Sequence, residues 1–294
     1  GINLSSNMVY GNETITVTPM ANSIYDASGN VASTSQSNNT ATMNGLAQQL
    51  GSDIDGEAAD DYSGWSVAMN DIGDRVAIGA NLNDGNGTNS GHVRVYEYSN
   101  NSWTQLGSDI DGEAANDEFG ISIDFNNDGD RLSIGGWFND GNGSNSGHVR
   151  VYEYSNNSWT QLGSDIDGEA PVDFFGNSVS MNDNGNKLAI GAPNNDGNGS
   201  NAGHVRVFEY SNNSWNQLGS DIDGEAAGDQ FGKSVKLNKS GSRLIIGADF
   251  NDGNGSNSGH VRVYEYSNNS WTQLGSDIDG EAAGDESGWS SSLN

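Results

Sequence analysis

The chain has 294 residues, 40 of them acidic against 11 basic, a formal net charge of −29 and no cysteine. The charge argues against nucleic acid as a partner, because phosphate binding needs a basic patch, and the missing cysteines exclude disulfides and thiolate metal sites. Leu, Ile, Val and Phe make up only about 18% of the residues, a composition typical of disorder, yet they fall in short runs repeated in register, which a disordered chain lacks.

Residues 1–45 read as alternating strands separated by Asp, Asn and Gly turns, with "DASGN" (Asp26–Asn30) as one such turn. The N-terminus is polar and lacks a basic region followed by an apolar core, so no signal peptide is read in it. A secreted protein would carry that signal outside this sequence. No run of 18 apolar residues occurs, so no membrane-spanning helix is predicted.

From Gln49 onward the chain repeats itself. "QLGSDIDGEA" starts at Gln49, Gln105, Gln161, Gln217 and Gln273. Trp103, Trp159, Trp215 and Trp271 stand 56 residues apart, as do the four histidines His92, His148, His204 and His260. A fixed period near fifty residues marks a propeller or a repeat array. The units run over about 48–103, 104–159, 160–215 and 216–271, with a partial fifth at 272–294. The first unit carries Ala47 where the others carry Trp, which fits a junction.

Within the unit ending at Trp159, "FGISIDF" (Phe119–Phe125) alternates and reads as a strand. The Asn/Asp-Gly turn "NNDG" leads to a second strand, "DRLSIGG" (Asp130–Gly136). "NDGNGSNSG" is a loop of residues that tolerate positive φ. "HVRVYEYS" (His148–Ser155) is the third strand, with Val149 and Val151 on one face and Arg150, Tyr152 and Tyr154 on the other. After the turn "NNS", "WTQLGSDI" (Trp159–Ile166) is the fourth. Four antiparallel strands per unit without a helix signal predict an all-β fold, a β-propeller whose blades bury their faces against one another.

These words resemble the FG-GAP family, the repeats of integrin α-subunit propellers and of many bacterial surface proteins. "FG" stands at Phe119-Gly120, Phe175-Gly176 and Phe231-Gly232, followed by "IGG", "IGAP" and "IGA", with Ile190-Gly191-Ala192-Pro193 the fullest match. The first unit reads "SGW" at Ser63–Trp65 instead. The resemblance covers about residues 50–294 and implies a β-propeller, often calcium-binding, used in adhesion or ligand binding. The family's calcium loop lies between the FG and GAP words. Here that stretch is "NDIGD", "NNDGD", "NDNGN" and "NKSGS", shorter and without a carboxylate in the fourth copy, so a plain hairpin turn is expected. Residues 1–45 resemble the last strands of a bacterial immunoglobulin-like domain. Because they carry neither the "IGA" nor the "HVRVY" word, further repeats beyond Asn294 are expected to close the ring.

Three sets of residues are candidates for chemistry. In each "SDIDGE" segment an extended backbone would point three carboxylates to one side: Asp53, Asp55 and Glu57; Asp109, Asp111 and Glu113; Asp165, Asp167 and Glu169; Asp221, Asp223 and Glu225. Converging hard oxygens suit Ca²⁺; the alternative is an outer strand carrying acids for solubility and to block edge pairing. The "DGNG" loops, with Asp84, Asp140, Asp196 and Asp252, are cation or sugar candidates or simply turns. Asn86, Asn142 and Asn156 stand in N-glycosylation acceptor words. The histidines occupy one equivalent place per blade, which predicts a structural ring and not a shared metal cluster.

The units differ in two clusters, after the FG word and after the second strand. Trp65, Leu82, Ile121, Trp137, Phe138, Asn177, Asn194, Lys233 and Phe250 stand there. Loops at blade ends hold ligands in propellers, so these are ligand-binding candidates; neutral drift with interblade packing is the alternative. No Ser or Cys nucleophile pairs with His at a recognisable spacing. The expectation is a non-enzymatic, extracellular propeller module of a larger surface protein, binding a protein or glycan. A structural spacer in a stalk or filament stands second, and a propeller hydrolase or lyase third.

Overall fold

The computed structural model describes residues 13–16, 40–43 and 49–293. The chain divides into two compact units, Gly1–Ser52 and Asp53–Asn294. In the first, β1 (Glu13–Thr16) pairs antiparallel with β2 (Thr40–Met43). The immunoglobulin-like reading of residues 1–45 otherwise lies outside the described residues, as does Ala47.

The second unit is all-β, a propeller of repeated four-stranded antiparallel blades, with no helix among the described residues. Blade one comprises β3 (Ser66–Met69), β4 (Arg75–Ala80), β5 (His92–Ser99), β6 (Ser102–Gln105) and β7 (Ile110–Asp111). Blade two comprises β8 (Ser122–Phe125), β9 (Arg131–Gly136), β10 (His148–Ser155), β11 (Ser158–Gln161) and β12 (Ile166–Asp167). Blade three comprises β13 (Ser178–Met181), β14 (Lys187–Ala192), β15 (His204–Ser211), β16 (Ser214–Gln217) and β17 (Ile222–Asp223). Blade four comprises β18 (Ser234–Leu237), β19 (Arg243–Ala248), β20 (His260–Ser267), β21 (Ser270–Gln273) and β22 (Ile278–Asp279). The fourth strand is in two pieces. β11 pairs with one half of β10 and β12 with the other, and Gly163, at φ 83°, kinks the chain between them.

Two expected strands are shorter than their sequence suggested. Phe119 lies outside β8, because Gly120 sits at φ 96° and breaks the extended run. Phe119 instead makes an isolated parallel bridge to Gly91. The Trp159–Ile166 strand is interrupted by the Gly163 kink.

Local chemistry fixes the turns. Asn126 Oδ1 accepts from the backbone N–H of Asp130 and Arg131, while its Nδ2 donates to Asp130 Oδ1 at 2.7 Å. Asn70, Asn182 and Asn238 accept from the corresponding backbone groups of their own turns. These segments are hairpin turns whose polar atoms are used internally. The "DGNG" loops also close on themselves: Asp140 Oδ1 accepts from Asn145 N–H, and Asn142 Nδ2 reaches Gly168 O.

Each core belongs to two blades. Val149, Val151 and Ile166 of blade two pack with Leu188 and Ile190 of blade three around Phe175. The opposite face of blade two sends Tyr152 against Val93 and Val95 of blade one. The repeating Trp fastens the rim of these contacts. Trp159, Trp215 and Trp271 donate Nε1–H to the carbonyls of Leu106, Leu162 and Leu218 in the preceding blade, at 2.8–2.9 Å. A Cβ on Gly163 would stand 2.9 Å from Trp215 Cδ1, so the kink glycine is required by space as well as by φ.

The outward faces of blades one and four lack such a neighbour among the described residues. Val67 is 66% exposed where its equivalent Val179 is 9%, and Ile278 is 58% exposed where Ile166 is 6%. Phe175, fully buried between blades two and three, should therefore carry a full interior cost. Phe175→Ala is expected to destabilise the protein by about 3–5 kcal/mol, read as a lowered denaturation midpoint with unchanged far-ultraviolet dichroism at low denaturant. A shift no larger than that of Val67→Ala would contradict the shared-core arrangement.

Candidate metal and ligand sites

At one end of each blade, three side chains from different parts of the repeat meet. Glu57, His92 and Asp109 form the first group; Glu113, His148 and Asp165 the second; Glu169, His204 and Asp221 the third; Glu225, His260 and Asp277 the fourth. In each, the ligand-type atoms lie within 4.8 Å of one another. The Glu comes from the connector entering the blade. The His opens the third strand, and the Asp sits just after the kink in the fourth. These acidic and imidazole groups could hold a metal ion in each blade.

These groups differ from the ligand set expected from the sequence. The three carboxylates of one "SDIDGE" segment do not converge. Glu113 goes to the group of the second blade, while Asp109 belongs to that of the first. Asp53, Asp55, Asp111, Asp167 and Asp223 stand outside these groups. The strand ends at Asp111 and the chain bends at Glu113 and Ala114, so Glu113 leaves the line of the two aspartates. Each of these groups offers two carboxylates and an imidazole. The histidines do occupy separate blades, as their spacing implied, but each stands beside acids. No sequence signal pairs residues as far apart as Glu113 and Asp165.

An arginine from the third strand completes each group. Arg150 bridges Glu113 and Asp165, with its Nε 3.0 Å from Asp165 Oδ1, and Arg262 does the same with Glu225 and Asp277. Burial opposes the Arg150 charge, but hydrogen bonding to Asp165 and the field of the carboxylates outweigh it and raise its pKa. In the other two blades the same side chain pairs with the glutamate alone, Arg94 at 3.5 Å from Glu57 and Arg206 at 3.3 Å from Glu169. Arg94 donates to Asp55 O at 2.7 Å and Arg206 to Asp167 O at 2.6 Å.

The imidazoles are deeply buried. Neither ring nitrogen of His148 or His260 has a hydrogen-bond partner. His148 Nδ1 lies 3.8 Å from Glu113 and 3.9 Å from Asp165, and His260 Nδ1 lies 4.0 Å from Glu225 and 3.9 Å from Asp277. Burial, then the neighbouring arginine, pushes His148 and His204 down to about 4, against the smaller pull of the carboxylates. They are neutral at pH 7.

The variable residues gather at the blade ends. Trp137 stacks on Phe138 at 4.7 Å, and both contact Phe174, at 5.6 and 5.3 Å. Trp137 Nε1 also donates to Glu118 at 3.0 Å. Trp65 is exposed and stacked on Tyr62. Lys233 lies over the Trp289 ring at 4.8 Å. Leu82, Asn177, Asn194 and Phe250 are half-buried, whereas Ile121 is buried and serves packing. Phe174 escaped the sequence reading because only one of its equivalents, Tyr62, is aromatic; Glu118, Gln230 and Glu286 are polar. Its φ of 56° is shared by this whole set of positions.

The buried histidines give a signed pH dependence. An unfolded imidazole takes a proton near pH 6.5, the folded His148 and His204 only near 4. The unfolded state therefore binds more protons between those values, and stability falls as pH drops through that window. Thermal melts at matched ionic strength should show a decline from about pH 7 to 4.5 that is shallower in the His148→Gln/His204→Gln double variant. Equal slopes would show that the decline has another source.

Comparison with curated proteins found no match. Among solved structures, the periplasmic gluconolactonase of Pseudomonas aeruginosa is 14% identical with a TM-score of 0.50, over 73% of this chain and 56% of that one. A 6-phosphogluconolactonase candidate from Bacteroides uniformis is 10% identical with a TM-score of 0.42, over 73% of this chain and 71% of that one. The chain thus spans little more than half of the Pseudomonas protein, and the likeness is one of fold. That fold is one that houses an enzyme, which corrects the expectation of a chain without enzymatic activity: a missing nucleophile–His spacing does not exclude one. The FG-GAP repeat family matches residues 53–96, 165–208 and 222–264. The chain carries FG-GAP repeats at these three positions, as the Phe-Gly and Ile-Gly-Ala words implied.

Proposed function

We propose that the chain is a ligand-binding β-propeller of an extracellular protein, taking a protein or glycan on the end of the blades where its variable aromatics gather. The observation that carries this reading is the Trp137–Phe138–Phe174 cluster, three large rings in mutual contact at a blade end. Rings held by one another lose little freedom on binding and bury a large apolar area, which is why such residues dominate interfaces. The interior of the repeat is nearly constant, so the blade ends are where one copy can be distinguished from another. FG-GAP repeats are common in surface proteins, and among the described residues no helix is long and apolar enough to cross a membrane.

The axis of the unit supports a second reading. A polar pocket there is lined by Asp71, Asp124, Asp183, Lys236 and Lys239 among others, and a hydrolase acting on a lactone or other ester would have its cationic group in Lys236. Asp124 is less available. It holds Lys236 Nζ at 2.9 Å and accepts from Ser180 Oγ and Met181 N–H, so it serves first to tie blades two, three and four together.

Two measurements separate the readings. A glycan and cell-surface protein screen should find a ligand whose affinity falls at least about tenfold in Trp137→Ala and Phe174→Ala, with the melting temperature little changed. Affinity indifferent to both substitutions would remove the aromatic cluster from the site. Lactone hydrolysis by the unaltered protein that disappears in Lys236→Met would favour the axial pocket instead.

A further inference from the structure

Two acceptor words for Asn-linked glycans recur in every full unit, Asn-Gly-Ser/Thr and Asn-Asn-Ser, and the structure treats them differently. The first kind, at Asn86, Asn142, Asn198 and Asn254, is used inside the fold. Asn142 Nδ2 reaches two carbonyls of the connector to the next blade, Gly168 O at 2.9 Å and Glu169 O at 3.3 Å. The other three make the same pair of contacts in their own loops. A sugar on that nitrogen would stand where the second carbonyl stands.

The second kind, at Asn100, Asn156, Asn212 and Asn268, opens the two-residue turn between the third and fourth strands, on the outer side of each blade. φ is 51–53° at these residues and 61–63° at the Asn that follows, the pair of positive values that a tight hairpin requires and Asn tolerates. All four are exposed, and among the described residues none of their amides donates a hydrogen bond. A second observation points to a sugar. Two residues before each turn Asn stands a Tyr, paired across the hairpin with the repeating Trp, as Tyr154 is with Trp159. The ring centroids of these pairs are 5.0–5.2 Å apart. Arg75 covers one side of Tyr154, yet both Tyr154 and Trp159 stay half-buried. The Trp159 N–H is already given to Leu106 O, so the pair offers apolar surface and no polar contact there.

We infer that these four turns are attachment sites for N-linked glycans, the first sugar of each resting on the Tyr–Trp pair of its own hairpin. In the transfer, Asn156 Nδ2 forms a bond to C1 of an oligosaccharide carried on a polyprenyl diphosphate. The bond from C1 to the diphosphate oxygen breaks, the lipid diphosphate leaves, and the amide gives up one proton. Residues two apart on a strand share a side, so a sugar on Asn156 lies on the side of Tyr154. The C–H face of a pyranose ring suits an aromatic platform. The glycan also has a use at this place. The fourth strand is the outer edge of each sheet, and an open edge is a template for pairing with another chain. A bulky hydrophilic group at the start of that strand blocks such pairing.

The test uses the full chain secreted from a host that makes Asn-linked glycans. The folded, soluble protein is mapped by mass spectrometry after enzymatic glycan release in H₂¹⁸O, which leaves a labelled Asp at each occupied Asn. Occupancy is expected at Asn100, Asn156, Asn212 and Asn268, and none at Asn86, Asn142, Asn198 and Asn254. Ser158→Ala, at an exposed position of the turn, should remove the mass of one glycan, that on Asn156. Protein trimmed to a single sugar per site should melt at a higher temperature than bare protein from a host without the pathway, because the sugar covers the Tyr–Trp pair. Three outcomes would overturn the inference: empty rim turns, glycans on Asn142 and its equivalents in the folded protein, or coincident melts of the single-sugar and bare proteins. None of these bears on ligand binding at Trp137 and Phe174, so the two readings fail separately.

Discussion

Packing between neighbouring blades is the constraint on which the rest of this structure depends. A four-stranded sheet has two apolar faces and cannot bury either alone. Here both are buried only where a blade has neighbours on each side, as the contrast between Val179 and Val67 shows. Several devices that recur at the repeat period serve that contact. The Trp indole hydrogen-bonds to the previous blade's rim. Ser66, Ser122 and Ser178 donate to the carbonyls of Gly120, Gly176 and Gly232 in the next blade's inner segment. Arg75 and Arg131 lie over Tyr154 and Tyr210 of the following blade.

The candidate metal groups are a by-product of the same arrangement. The connector leaving one blade must cross to the inner strand of the next, and it passes the start of the next blade's third strand on the way. That brings Glu113 beside His148. The kink at Gly163 turns the outer strand inward again, which brings Asp165 to the same place. Acids, an imidazole and a guanidinium are concentrated there because the path of the chain repeats. The group therefore recurs in four copies, and its environment differs between copies chiefly in where the arginine rests.

The sequence revealed the parts of the fold that depend on local pattern. The period, the third strand at His148–Ser155 and the Asn-capped hairpins can all be read from it, since alternation and turn chemistry act over a few residues. It showed less of what depends on meeting. The outer strand's break at Gly163 follows from the Trp215 ring that sits against it, a residue in the next unit. The strict alternation of Asp109, Asp111 and Glu113 suggested one shared face, but the strand ends at Asp111 and the bend at Glu113 and Ala114 takes Glu113 to the next blade's group. Phe174 was not recognised because its position is aromatic in only two copies, Tyr62 and Phe174, and carries Glu or Gln in the others. Its neighbours Trp137 and Phe138 could, since they stand where every copy differs inside an otherwise nearly constant unit.

The same constraint explains where the copies are free to vary. Phe119, Phe175 and Phe231 are fully buried in shared cores, so a change there must be matched by the adjoining blade. The position after the second strand carries Asn81, Trp137, Pro193 and Asp249 in turn. Asn81 and Trp137 both donate to Glu118 although they differ greatly in size. Asp249 is buried with no partner for either carboxylate oxygen, and burial raises its pKa. A site that tolerates an amide, an indole, an imino acid and a buried carboxyl is not selected for packing in the way the shared cores are. The blade ends, rather than the repeated interior, are therefore where one copy differs from another.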